Sequence, residues 1–566
     1  MNNRTIARYL RVLASMLEVQ QPHDPLAKRY RQAADAIRAL QDDVAAAPDT
    51  LPAGIHRSIF PVIQQLLEHG LDAAFQTASL SIPFSLREIL ELPGIGPHTT
   101  HTLYHTYGIA AIDDLEEALA HHRELPVSDT LRSQLPQEIR ALRERKRRIP
   151  LRTVEAAAAD ILSELAAIQA VLEAAVSGSV RRRDPLSDHL LVLARVSDDV
   201  RTQAEQALYD RDYTAVPASR CLDGTAIKVL NLTNAYFCEI WKEERAIPVY
   251  VLLIAPEAWA QAMVYGSGDA THNEALYNLT TNGQTTKPNV QPSEEAVYEA
   301  AGLPYISALL RHGRSMTKDP KSLVDLTDIK GDLHMHTTYS DGHDTIEDMV
   351  QACVSRGYSY MTISDHSQGL TIARGLSYDR LMRQHEEMLR MREKYPQITL
   401  FHGSEVDITA DAKLDFADSI LRQLDFVVAS IHTAMRQTEA ELTARALYAI
   451  ESPYVHILAH PTGRMLGRRD SFPLHFDKVF EAAKEHHVAV ECNSNPDRLD
   501  LDPQLLQRAM EAGCLFSIDS DAHSVENLTR IEDYGIDMAK KGWLTPDRVI
   551  NTWPLERLLA WMKKGR

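Results

Sequence analysis

Long apolar runs are missing from this chain. No uninterrupted apolar stretch of about 18 residues occurs in its 566 positions, and the opening MNNRTIARYL carries no leader-like apolar segment. Neither membrane insertion nor secretion is expected, which places the chain in the cytoplasm. Cysteine is scarce too. Cys221, Cys238, Cys353, Cys492 and Cys514 show no CxxC spacing, which argues against a zinc ribbon or a disulfide frame and fits buried thiols in a reducing compartment. Positive charge is in deficit: 60 Lys and Arg face 78 Asp and Glu, a net charge of −18. Such a balance argues against nonspecific coating of nucleic acid, though a local basic patch can still hold phosphates. The length suffices for about three or four domains, each with its own core.

Against this background one stretch stands out, DLHMHTTYSD from Asp332 to Asp341. Leu333 and Met335 alternate with His334 and His336, so strand geometry sets both imidazoles on one face as a pincer. Asp341 adds a hard oxygen donor after the Thr-Thr-Tyr-Ser turn, and imidazole nitrogen suits zinc, manganese or iron. The pattern recurs downstream. YMTIS runs into Asp365-His366, ITLFHGS into Glu405, FVVASI into His432, VHILA into His460, VAVEC into Asn493 and LFSID into Asp521 and His523. Helical patterns such as DTIEDMVQACVSRG and FDKVFEAAKEHH alternate with these runs, which predicts a closed or nearly closed α/β barrel with its active residues at the C-terminal rim. Histidines placed independently on a surface would not fall at successive strand ends.

The series HMH, Asp341, SDH, GSE, SIH, AHP and SDAH resembles the PHP (polymerase and histidinol phosphatase) family of metal-dependent phosphoesterases, a distorted barrel of seven βα units. The resemblance implies a metal site of two or three divalent ions, manganese or zinc, held by His334, His336, Asp341, His366, Glu405, His432, His460, Asp521 and His523. It implies central catalytic roles for His334, His336, Glu405, Asp521 and His523. Arg374 in IARGL, Arg464 in HPTGR, and Asn495 with Arg498 in NSNPDRL are the candidate phosphate contacts, by similarity and by charge.

Upstream, IARYLRVLASMLEV and YRQAADAIRAL have helical periodicity. ELPGIGPHTTHTLYHTYGI matches a helix-hairpin-helix, in which Gly94 and Gly96 allow a tight turn that presents backbone N–H groups to a DNA phosphate. LPAGI, Leu51 to Ile55, reads as a degenerate copy. RALRERKRRIPLR then sets seven basic residues against one acid, and Arg143, Arg145, Lys146, Arg147 and Arg148 are expected to track a nucleic-acid backbone.

In VSGSVRRRDPLSDHLLVLA, Gly178 and Ser179 end one element and Asp188 precedes the next, a nucleotidyltransferase-like arrangement that could approach a triphosphate. Together with the helix-hairpin-helix, APEAW, YGSG and YEAAGLPYI, this resembles the bacterial and archaeal family X DNA polymerases that carry a C-terminal PHP domain. Those polymerases hold two magnesium ions with an acid-x-acid pair and a third aspartate. Here Asp188 takes the first position, but the second falls on Leu190 and the third on Tyr250, so magnesium is not expected at the palm. Asp184, Glu239 and Glu243 are the acids a shifted register would supply.

The expected architecture is therefore multidomain. A helical N-terminal domain (1–88) is followed by a helix-hairpin-helix DNA-binding region (89–152), a degenerate nucleotidyltransferase α+β palm (153–236) and a thumb-like region (237–318). A linker (319–327) leads into the α/β PHP barrel (328–566). The expected function is 3'-5' exonuclease action on gapped, nicked or 3'-ended DNA in repair, by a monomer without membrane contact. The alternatives are an active family X polymerase with a proofreading nuclease, a small-molecule phosphatase, and a non-catalytic repair scaffold.

Overall fold

The computed structural model describes residues 3–40, 44–46, 55–78, 80–121, 123–242, 245–281, 289–313 and 322–563. It divides into two compact units, residues 1–147 with 243–245, and residues 148–242 with 246–566. Residues 51–54 of the LPAGI motif, Glu243, and residues 314–321 at the expected thumb–linker junction lie outside the described residues.

The first unit is helical. In α1 (Asn3–Gln20), Ile6, Leu10, Leu13 and Leu17 recur at helical spacing and are buried against α2 (Pro25–Ala39). The Asp24 carboxylate accepts the Leu26 N–H at 2.7 Å, and Pro25 occupies the first turn of α2, where no N–H is needed. The chain continues through α3 (Phe60–His69), α4 (Leu71–Thr77), α5 (Leu86–Leu90), α6 (Pro97–Tyr107), α7 (Ile112–Ala120) and α8 (Asp129–Arg147). Gly94, at φ +82°, makes the turn between α5 and α6; a Cβ there would strain the backbone and lie 3.0 Å from Leu131 Cδ1. Gly108 closes α6 in the left-handed region. Its N–H donates to the Tyr104 carbonyl while the Ile109 N–H donates to that of Leu103, so carbonyls of the last turn are capped.

The second unit opens with α9 (Leu151–Ala166) packed on a five-stranded sheet: β1 (Glu173–Ser177), β2 (Leu190–Arg195), β3 (Thr214–Pro217), β4 (Asn234–Lys242) and β5 (Arg245–Ile254), in the order β1-β2-β5-β4-β3. β1 is antiparallel to β2, and β2 is parallel to β5. The sheet thus runs to Ile254, beyond the expected palm limit of 236, because β5 returns to pair at the centre.

The rest of this unit contains seven parallel strands: β6 (Gly331–Asp332), β7 (Tyr360–Ile363), β8 (Thr399–Asp407), β9 (Phe426–Ser430), β10 (Ile457–Leu458), β11 (Ala489–Asn493) and β12 (Leu515–Asp519). They follow one another in chain order across the sheet. A parallel bridge between Met335 and Ala522, with the His336 N–H donating to the Ala522 carbonyl at 2.8 Å, brings the two ends together into a nearly closed barrel. β7, β9 and β11 are buried at every position, as strands covered on both faces must be, and this explains their mostly apolar composition. The expected helices are Ile346–Ser355 and Phe476–Glu485. One local expectation fails: the first strand ends at Asp332, so His334 and His336 stand beyond the regular ladder, at the barrel mouth.

Candidate metal centre and its surroundings

The strand ends converge on Glu405. Its Oε1 lies 2.9 Å from His460 Nε2 and 3.3 Å from His432 Nε2. Its Oε2 lies 2.9 Å from His366 Nδ1, 3.4 Å from His334 Nε2 and 3.5 Å from His336 Nε2, yet accepts no hydrogen bond from any of them. Asp521 Oδ1 sits 3.4 Å from His336 Nε2, and Asp341 Oδ1 is 3.4 Å from His366 Nε2 and 3.3 Å from His523 Nε2. Among the described residues, three sets of ligand atoms lie within 4.8 Å of one another: His336, Asp341, His366 and His523; His334, His336 and Asp521; and His366, Glu405 and His432. These sets hold eight of the nine expected ligands, and His460 joins through its bond to Glu405.

Would these residues suit divalent ions? Glu405 is 1% exposed, and its Oε2 is ringed by imidazole nitrogens at distances or angles that make no hydrogen bond. A buried carboxylate oxygen needs a partner, and a shared cation supplies one. Burial pushes the Glu405 carboxyl up, but the charges of His432, His366 and His334 outweigh it and hold the group well below the usual carboxylate range. Burial and the neighbouring His366 and His523 bring His336 down to about 3, whereas the Glu405 and Asp341 carboxylates outweigh burial at His366 and raise it to about 10. The donor set of imidazoles and carboxylates fits manganese or zinc and does not choose between them.

Sequence reasoning missed Glu491 and Asp407, which stand behind the ligands, and read Asp365 only as the residue beside His366. Glu491 Oε1 takes the His334 Nδ1 proton at 2.6 Å, turning Nε2 toward the cluster, and Glu491 Oε2 accepts the His460 backbone N–H at 2.6 Å. Burial raises the Glu491 carboxyl to about 7. Asp365 accepts the backbone N–H of Thr337 and Ser340, the Thr337 hydroxyl and the Gln384 amide, and so fixes the turn that carries Asp341. Asp407 accepts the His432 N–H at 2.8 Å. The available signal was alternation: Glu491 lies two residues before Asn493, and Asp407 two after Glu405, each an acid inside an apolar strand.

The four phosphate candidates separate. Arg498 reaches the centre, its Nε 3.6 Å from Asp521 Oδ2. Arg464 instead spends its guanidinium on the carbonyls of Arg498 and Leu499, so it braces that loop. Asn495 likewise builds the loop, its N–H donating to Asn493 Oδ1 and its Oδ1 accepting the Asp497 N–H. Arg374 is exposed on the segment after His366, in the left-handed region at φ +57°.

In the first unit, Gly96 immediately precedes α6, and Gly94 makes the turn before it. The basic cluster does not form one free stripe. Arg143 pairs with Asp113 and Glu116, Lys146 lies 3.0 Å from Glu88 and 3.1 Å from Glu91, and Arg147 pairs with Glu144. Glu144 lies on the same helix as Arg147, but Asp113, Glu116, Glu88 and Glu91 come from earlier segments, which a local charge count does not see. The Arg145 carbonyl accepts from Arg245. Arg148 falls in the second unit and lines the palm cavity.

That cavity, about 390 Å³, is lined also by Gly178, Ser179, Arg182, Asp184, Asp188 and His189. Gly178, at φ +59°, donates its N–H to the Gly266 carbonyl, and the Ser179 hydroxyl donates to that of Ser187. The strand register differs from the expected one. Tyr250 is paired with Leu191, packs in the same cluster as Leu191, and contacts the His189 ring at 5.2 Å, whereas Leu190 lies on the opposite face among the residues packed with α9. Relative to Tyr250, the two positions sharing its face are therefore His189 and Leu191, and Asp188 precedes the strand. Asp184 is bonded by Lys541 and Arg182, and Glu239 is exposed on β4.

No helix among the described residues is long and apolar enough to cross a membrane. Residues 332–495 match the family model described as PHP domain. The chain is similar over its full length to the DNA polymerase/3'-5' exonuclease PolX of Bacillus subtilis (strain 168), 29% identical over 585 residues with 100% of each chain covered. Probable phosphatases of Thermoanaerobacter sp. (strain X514) and Aliivibrio fischeri (strain ATCC 700601 / ES114) are each 28% identical over 233 residues. Those matches take in 39% of this chain and 89% and 88% of theirs. The solved ternary complex of Leishmania infantum polymerase beta aligns with 40% of this chain and 97% of its own at 15% identity and a TM-score of 0.24, too slight an agreement to define a fold. The chain is therefore similar from end to end to one PolX protein, and the stretch that matches the PHP domain model covers the strands of its C-terminal barrel from Asp332 to Asn495.

Proposed function

We propose that this protein is a divalent-metal-dependent phosphoesterase that removes nucleotides from DNA 3' ends in repair, the exonuclease half of the activity in its full-length relative's name. The observation that carries the reading is the ring of imidazoles and carboxylates around buried Glu405, at the mouth of a barrel whose chain matches that relative throughout. Bound ions would supply an activated water and positive charge for the scissile phosphate. The nine ligands would hold them, with His334, His336, Glu405, Asp521 and His523 at the centre and Glu491 fixing the His334 tautomer. Arg498, whose Nε lies 3.6 Å from Asp521 Oδ2, would bind a phosphate oxygen.

DNA would be held by phosphate contacts. The Gly94–Gly96 turn offers the N–H groups that open α6, and exposed Arg143 and Arg147 exchange their acidic partners for phosphates. In the palm, Leu191, His189 and Tyr250 offer no carboxylate to magnesium, so we read this half as a binder of DNA or nucleotide that does not polymerise. Gly178 and Ser179 could still take a phosphate.

A second reading, a phosphatase of small phosphomonoesters, is favoured by the phosphatase relatives, whose matches cover nearly their whole length. One assay separates the two: 3'-labelled and 5'-labelled DNA with manganese, beside a phosphomonoester and a primer-template with all four nucleotides. Stepwise release from the 3' end is expected. Hydrolysis of the monoester alone would favour the phosphatase, and primer extension would remove the palm argument.

A further inference from the structure

A second cavity, about 250 Å³, lies in the PHP domain between helix Tyr378–Lys394 and the segment after β8. Met382, His385 and His402 line it, with Leu381 and Ile420 as apolar walls. None of the nine ligands discussed above lines it, and neither does any carboxylate.

Within it the Nδ1 atoms of His385 and His402 face each other at 3.2 Å. The tautomer of His402 follows from its surroundings. Asp365 accepts the backbone N–H of Thr337 and Ser340 and, through Oδ2, the Gln384 amide NH2 at 2.5 Å. Gln384 must therefore turn its carbonyl oxygen toward His402 Nε2, 3.2 Å away, and that nitrogen must carry the hydrogen. The lone pair of His402 is left on Nδ1, aimed at His385. His402 is 2% exposed, and burial, with His385 beside it, lowers its proton affinity to about 4, so the imidazole stays neutral at ordinary pH. The nearby charges, Asp425 and Arg392, are bonded to each other.

We propose that His385 and His402 form a separate transition-metal site, taking one zinc-type ion through their Nδ1 atoms with the Met382 thioether and water available to complete it. Two nitrogens each about 2.0–2.1 Å from a tetrahedral ion stand about 3.3 Å apart, which is the spacing found here. The tautomer lock by Gln384 is the outer-shell arrangement that metal-bound histidines use. A set of two imidazoles and a thioether selects a borderline or soft ion and rejects magnesium, calcium and manganese, which prefer oxygen. The same lock continues through Gln384 to Asp365, so an ion here also stiffens the turn bearing Asp341.

The test uses the full-length protein, freed of metal, reloaded with excess manganese and then titrated with zinc. Wild type is expected to keep one more equivalent of zinc than His385→Gln after dialysis, with both proteins showing the same thermal transition. Crystals soaked in zinc should give an anomalous peak between the two Nδ1 atoms, a reading that does not depend on any variant folding. Equal zinc content in the two proteins, or no peak between the imidazoles, overturns the proposal and leaves the pair as a hydrogen bond only.

Discussion

Replacing Glu491 by Gln isolates the work done behind the metal ligands. Three donors converge on this carboxylate, His334 Nδ1 and the His460 N–H at 2.6 Å each and Asn493 Nδ2 at 3.1 Å, and its side chain is fully buried. A glutamine fills the same volume but brings an NH2, which must oppose one of those donors. A buried donor left facing a donor costs about 1–3 kcal/mol. Loss of an outer-shell partner weakens metal binding by about 10–100-fold, which at about 1.4 kcal/mol per decade falls in the same range. The half-saturating manganese concentration for release of 3'-terminal nucleotides should therefore rise by about 10–100-fold, with the rate at saturating manganese kept within about threefold. Manganese retained after dialysis should fall in parallel. An unchanged manganese dependence, or a rate loss that saturating metal does not restore, would refute this account of Glu491.

Lys541→Met should lower the thermal transition of the second unit, because Lys541 Nζ bonds Asp184 Oδ1 at 2.7 Å and the Arg182 carbonyl at 2.8 Å in a buried setting, where breaking a pair costs about 3–5 kcal/mol; calorimetry reads it. Substituting Arg143, Lys146 and Arg147 by Gln together should weaken binding about equally on unrelated DNA sequences and flatten its salt dependence, and a sequence-selective loss by filter binding would contradict the phosphate assignment. Burial brings His272 down to about 4, so the folded state takes its proton later than the unfolded state; stability is held above pH 6.5 and lost as pH falls toward 4. His272→Gln should remove one proton's worth of that slope, about 1.4 kcal/mol per pH unit, in urea titrations across this window. The unmodified protein should not extend a primer with magnesium or manganese, and extension abolished by Asp188→Ala would show that another acid completes the palm and that both register readings are wrong.

The candidate metal centre was legible because a parallel barrel puts functional side chains where apolar runs end, and every run here but VAVEC, which ends on Asn493, runs into an imidazole or a carboxylate. His334, His366, Glu405, His432 and Asp521 could be found by that rule without knowing a single contact. The palm register was not legible. Its strand starts after a turn, and one residue more or less in that turn swaps the faces of Leu190 and Leu191; only the pairing of Leu191 with Tyr250 decides it. Nor were the partners of the basic cluster legible, because Asp113 and Glu116 pair with Arg143, and Glu88 and Glu91 with Lys146, from segments earlier in the sequence. Charge counting is local, and ion pairing is not.

The palm-like sheet has a physical reason to persist in this chain whatever its chemistry. The loop Arg182–Asp184 that borders the palm cavity is bonded by Lys541, at the end of helix Ile536–Lys541, and Arg183 pairs with Asp537 on the same helix. That helix follows directly on the turn Ile531–Gly535 and on Arg530, whose guanidinium donates to the backbone carbonyl of the metal ligand Asp521 at 2.7 Å. About twenty residues of one segment therefore join the cavity loop to the metal rim. Asp521 itself sits in the left-handed region at φ +49°, a conformation a non-glycine residue holds only when its surroundings impose it. Removing the palm would expose Lys541 and Asp537 without their partners and loosen the segment that holds Asp521 in place. On this argument the sheet Glu173–Ile254 and its cavity loop support the candidate metal centre through packing.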